Sequence, residues 1–91
     1  MDDATPMTTL TVTVRYFAGA QVAAGTGEET LDLPVGARVI DLVRVLAARH
    51  GAELARVLTA ASFLVDEVTG PADRALRDGV RVDVLPPFAG G

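Results

Sequence analysis

From Thr9 onward the chain alternates. Val12, Val14 and Tyr16 fall on one side, and Thr11, Thr13, Arg15 and Phe17 on the other. A period of two with one apolar set predicts a strand over about residues 9–17, buried on the Val12 side. Ala18 to Gly27 is rich in small residues and reads as a loop with room for one helical turn at Ala20–Ala24. Alternation returns over Glu28–Leu33, a second strand that would pair with the first as a hairpin, until Pro34 and Gly36 end it. The period then changes. Val39, Leu42, Val43, Leu46 and Ala47 recur at helical spacing, which predicts an amphipathic helix over about residues 38–50, stopped by Gly51. Its start is weakly capped by Ala37 and Arg38, with Asp41 in the first turn as partial compensation through the helix dipole.

Leu54, Val57, Leu58 and Ala61 repeat the helical spacing over one or two turns. Ser62–Val65 is a short apolar strand, Asp66-Glu67 its turn, and Val68–Leu76 an irregular stretch broken at Gly70-Pro71. Arg77-Asp78-Gly79 makes a tight turn into the last strand, Val80–Leu85. There Val80, Val82 and Val84 face one way, and Arg81, Asp83 and Leu85 the other. Residues 1–8 are expected to be a disordered leader, 9–85 one domain and 86–91 a flexible tail. Two strands, a helix, a shorter helix and two later strands predict an α+β domain, a sheet of four to five strands packed on one main helix.

Composition narrows the function. An apolar fraction of 49% with 22% charged residues is that of a globular domain, and 91 residues suffice for one modest core. A net charge of −4 without a basic cluster argues against nucleic acid. No apolar run approaches a membrane span, and Met1-Asp2-Asp3 is acidic where a signal peptide would be basic, so a cytoplasmic location is expected. The chain has eight arginines, no lysine and no cysteine. It therefore offers no ε-amine to an activated acyl group, no thiolate for a persulfide and no sulfur ligand for zinc. No metal site is expected. Gly25-Thr26-Gly27 lacks the Gly-Lys-Ser/Thr of a phosphate loop and reads as a turn. His50, the only histidine, has no nucleophile to serve and reads as structural, and Asp66-Glu67 as a solvated turn tip.

The remaining chemistry lies at the end of the sequence, Pro86-Pro87-Phe88-Ala89-Gly90-Gly91. The prolines favour an extended path, and the glycines lack a Cβ, so this end could enter a channel too narrow for other residues. Six extended residues reach at most about 20 Å. The reactive group at the tip is the α-carboxylate of Gly91, ionised at neutral pH. A strand Val82-Asp83-Val84-Leu85 followed by Pro-Pro-Phe-Ala-Gly-Gly resembles the MoaD/ThiS group of ubiquitin-like sulfur carriers, nearest to its molybdopterin synthase small-subunit branch.

The resemblance covers about residues 9–91 and implies the β-grasp fold, with the first and last strands central and parallel. It further implies that Gly91 is adenylated by a ubiquitin-activating-type adenylyltransferase using Mg-ATP. A persulfide protein would then convert it to a thiocarboxylate. The sulfur would pass to a cyclic pyranopterin precursor in the large subunit of molybdopterin synthase, with this chain a carrier and not itself the enzyme. It would bind no cofactor of its own. A carrier for thiamine thiazole or cysteine synthesis, and a ubiquitin-like protein modifier, are the alternatives. Strand parity adds Phe17 and Leu85, both on the outer face near the tail's root, as an expected docking patch for its partners.

Overall fold

The structure is a computed structural model and describes residues 8–87. The expected leader lies outside the described residues except for Thr8, whose carbonyl accepts a hydrogen bond from the Val35 N–H at 3.1 Å. The first alternating segment is β1 (Thr9–Tyr16), and it pairs antiparallel with β2 (Glu28–Pro34). Between them the small-residue stretch forms a six-residue helix, α1 (Gly19–Ala24). Two helices follow, α2 (Val39–His50) and α3 (Ala52–Ala60). Then come β3 (Ser62–Val65), β4 (Val68–Thr69) and β5 (Val80–Leu85).

The five strands form one mixed sheet in the order β2-β1-β5-β3-β4. This is the expected α+β β-grasp arrangement, with β1 and β5 parallel at the centre. Their register sets Val12 beside Val80, Val14 beside Val82 and Tyr16 beside Val84, and all six side chains are buried. Parallel neighbours cannot be joined by a hairpin, so the intervening chain must cross over, and here it does so as helices covering one face. That face receives Leu42 and Leu46 from α2 and Leu54 and Leu58 from α3. α3, nine residues long where one or two turns were expected, is thus a full partner in the core. No described helix is long and apolar enough to cross a membrane.

Two local details depart from the sequence reading. The Val68–Leu76 stretch is not wholly irregular: Val68 pairs with Val65 and Thr69 with Leu64 as β4. Asp66 and Glu67 make the two-residue turn with positive φ of 49° and 70°, the combination that tight hairpins require. Two residues are too few for alternation to register in a sequence. The start of α2 is better capped than expected, because a carboxylate oxygen of Asp41 accepts the Arg38 N–H at 2.8 Å. Asp66 and Glu67 are exposed at the turn, as expected, and Asp66 Oδ1 accepts the Arg81 N–H at 3.1 Å. Glycine is required at Gly79, where φ is 82° and the N–H donates to the Thr11 carbonyl at 2.8 Å, starting β5 in register with β1.

Leu46 is fully buried in this core, whereas Val22 on α1 is 84% exposed. Leu46→Ala is expected to cost about 2–5 kcal/mol in urea unfolding and Val22→Ala less than about 0.5 kcal/mol. Equal costs would contradict the assignment of the helical face.

Candidate functional site at the root of the C-terminal segment

β1 and β5 run in the same direction, so both end at the same rim of the sheet. Beyond β1 comes Phe17, whose N–H donates to the Val84 carbonyl at 3.2 Å. Beyond Leu85 come Pro86, half-buried, and Pro87, exposed. Phe17 is 36% exposed and Leu85 half-buried opposite Ser62 of β3. The strand parity read from the sequence therefore holds: neither residue belongs to the buried core. Phe88, Ala89, Gly90 and Gly91 lie outside the described residues.

Two residues that sequence reasoning left as ordinary outer-face charges stand at this rim. Arg15 and Asp83 are register partners on β1 and β5. Arg15 Nε donates to Asp83 Oδ1 at 3.0 Å and Nη2 to Oδ2 at 3.3 Å. The Asp83 hydrogen bonds raise the Arg15 pKa above its ordinary value, against burial, which lowers it. The Arg15 guanidinium carbon also lies 5.4 Å from the centroid of the Phe17 ring. A signal was available: opposite charges on the same face of two strands expected to be parallel neighbours.

Tyr16 points inward, and its contacts explain His50. The Tyr16 hydroxyl donates to Glu29 Oε2 at 2.5 Å, His50 Nε2 bonds the same oxygen, and Arg49 Nε lies 2.9 Å from Oε1. The Tyr16 and His50 rings meet edge to face at 5.9 Å. A single carboxylate on β2 thus ties the end of α2 to the end of β1. The Tyr16 pKa is raised, first by burial and then by the neighbouring Glu29 carboxylate. Burial pushes the Glu29 carboxyl up, but hydrogen bonds from Tyr16 and His50 and the charges of His50 and Arg49 outweigh it, so its pKa lies below the usual value. His50 is placed as a structural partner, as its sequence position suggested.

Among the described residues no group of three His, Asp or Glu side chains could hold a metal ion. A groove of about 660 Å³ opens on the helical side, with Val43, Ala47, Leu58 and Phe63 in its lining. It is apolar apart from Arg44 and a few hydroxyl and backbone groups, and offers no nucleophile or acid–base pair.

The sequence pattern described as the ThiS family matches residues 14–91. The chain is 37% identical over 81 residues to the molybdopterin synthase sulfur carrier subunit of Chlamydomonas reinhardtii, covering 88% of this chain and 98% of that protein. Among solved structures, it is similar to a putative molybdopterin converting factor, subunit 1, from Pyrococcus furiosus. That match has a TM-score of 0.75 at 31% identity, over 87% of this chain and 99% of the other. The small archaeal modifier protein 1 of Methanosarcina acetivorans shares the fold, with a TM-score of 0.75 at 24% identity over 91% and 98% of the two chains.

The Glu29 cluster has a definite pH signature. A carboxylate with a depressed folded-state pKa stabilises the fold above its unfolded value, taken as 4.5, and that stabilisation is lost as pH falls through the folded value. Glu29→Gln is expected to cost about 1–3 kcal/mol at neutral pH. In thermal melts the gap between variant and wild type should close as pH drops below 4.5. A gap independent of pH would contradict the ionised bridge.

Proposed function

Because the chain belongs to the ThiS family, we propose that it is a sulfur carrier acting as the small subunit of a molybdopterin synthase in the cytoplasm. One observation carries the reading. β5, a central strand of the sheet, delivers the chain to Pro86-Pro87 at the rim beside Phe17, with Phe88-Ala89-Gly90-Gly91 still to follow.

The chemistry follows from the terminal group. A carboxylate is a poor acyl donor because its oxygen is a poor leaving group. An adenylyltransferase of the ubiquitin-activating type would bind the tail and Mg-ATP. The Gly91 carboxylate attacks the α-phosphate, releases pyrophosphate and becomes an acyl-adenylate. A protein persulfide then attacks the acyl carbon and expels AMP, and a second thiol cleaves the sulfur–sulfur bond to leave the thiocarboxylate. In the large synthase subunit that sulfur would attack a carbon of a cyclic pyranopterin precursor and displace an oxygen leaving group. Water would then cleave the acyl carbon–sulfur bond, leaving the sulfur on the pterin and restoring the carboxylate. The chain supplies a positioned acyl terminus. Its partners supply the ATP site, the acid–base groups and the persulfide, and the complex is the sulfurtransferase.

Position at the tip is therefore decisive. Deleting Gly91, or adding one residue after it, is expected to abolish the mass gain of about 16 Da that marks sulfur replacing oxygen. The assay incubates each variant with activating enzyme, ATP and a sulfur source and reads the intact mass. Normal loading of the extended variant would refute the assignment to the Gly91 carboxylate. Phe17 and Leu85 supply the docking surface. Phe17→Ala and Leu85→Ala should each weaken binding to the activating enzyme and the large subunit by about 1–3 kcal/mol, while costing the isolated domain less than a core truncation. Calorimetric titration beside thermal melts checks this. Unchanged affinity with a strongly lowered melting temperature would assign both residues to the core instead.

A further inference from the structure

We propose that Asp83 is a positioning residue for the tail-root surface: through Arg15 it holds the Phe17 ring in the orientation a partner meets. The inference rests on the carrier reading only for the identity of that partner.

Asp83 sits in a place that needs an account. It lies on the outer face of a central strand, where side chains are ordinarily solvated, yet it is only 4% exposed and is the one buried charged residue among those described. Aspartate is disfavoured in strands, and a carboxylate withdrawn from water is costly unless paired. Its neighbours withdraw it: Arg15 across the β1 side, Leu64 across the β3 side, and Arg81 and Leu85 two residues away along its own strand. Arg15 meets it with the two-pronged bond already described, and Arg81 Nε stands 3.6 Å from Oδ1.

Stability alone is a weak account of this arrangement, in which Asp83 is buried and Arg15 partly exposed, because apolar residues of similar volume often replace paired charges without loss. What the fork supplies is direction. Two parallel bonds fix the plane of the guanidinium as one bond would not. That plane then serves as the platform for Phe17, at cation–π distance. The Phe17 backbone is already held, its N–H by Val84 and its carbonyl by the Ala20 N–H at 3.0 Å. The next residue, Ala18, has a positive φ of 52°, which turns the chain sharply away. Side-chain rotation is the freedom that remains, and Arg15 limits it. A surface ordered before binding loses less entropy when a partner arrives.

The test begins with the isolated chain. Asp83→Asn keeps size and removes charge, and Arg15→Lys keeps charge and removes the planar fork. In wild type, NMR cross-peaks are expected between the side-chain methylenes of position 15, protons that both variants retain, and the Phe17 ring. Both variants should lose them while amide shifts in β2 and α2 stay in place. Persistence of the cross-peaks in either folded variant would overturn the proposal. Binding to the activating enzyme supplies the second readout. Asp83→Asn should weaken it about 5–10-fold, and adding Asp83→Asn to Phe17→Ala should cost no more than Phe17→Ala alone. Fully additive losses, or a lowered melting temperature with unchanged affinity, would reduce Asp83 to a structural role. Failure of the carrier reading shows separately, as wild-type chain that gains no sulfur mass, and leaves the NMR result to decide the holding of Phe17.

Discussion

The parallel pairing of the first strand with the last is the constraint from which the remaining structure follows. β1 and β5 lie side by side at the centre of the sheet, and their inner faces interleave valines and one tyrosine with no solvent exposure to speak of. Parallel pairing forbids a short connection, so the 63 residues between Tyr16 and Val80 have to form crossover helices and further strands. It also sends both strands to the same rim. Pro86 and Pro87 consequently follow β5 at the rim beside Phe17 rather than at the opposite pole. Had β5 been antiparallel to β1, the Pro-Pro segment would emerge beside Thr9, far from the outer-face patch.

Adjacent residues at that rim serve opposite faces. Tyr16 turns inward and joins Glu29, Arg49 and His50, locking the end of α2 against the sheet. Phe17 turns outward and rests near Arg15, which Asp83 holds. The period of two places these side chains, but each face is completed by a charged group brought from a distant segment. Burial alone would raise the Glu29 pKa, but hydrogen bonds from Tyr16 and His50 and the charges of His50 and Arg49 lower it, while Asp83 is paired with Arg15. The rim is thus tied by hydrogen bonds and ion pairs on both faces beside the end of β5.

Much of this was legible in the sequence because it depends on periodicity. The alternation at Val12, Val14 and Tyr16 and at Val80, Val82 and Val84, and the helical stripe through Leu42 and Leu46, each describe a buried face that the fold retains. The outward placement of Phe17 and Leu85 came from the same rule. What periodicity does not carry is pairing between segments far apart. Arg15 with Asp83, and Tyr16 with Glu29 and His50, are encounters that depend on the strand register, which no single stretch of sequence states. β4 escaped notice because two residues cannot display a period, and the Asp41 cap because it depends on the φ and ψ of Arg38. The docking role of Phe17 and Leu85, and the chemistry of Gly91, rest on the family likeness and on the placement of the tail's root.

The central claim is that the end of this chain carries sulfur on an acyl group. The most direct measurement is the intact mass of the chain isolated from its own cells under conditions that preserve thiocarboxylates. The account predicts a fraction heavier than the unmodified chain by about 16 Da, which alkylation shifts further upward by one alkyl group on the sulfur. A chain found only at its unmodified mass, or joined through Gly91 to other proteins in larger covalent adducts, would contradict it.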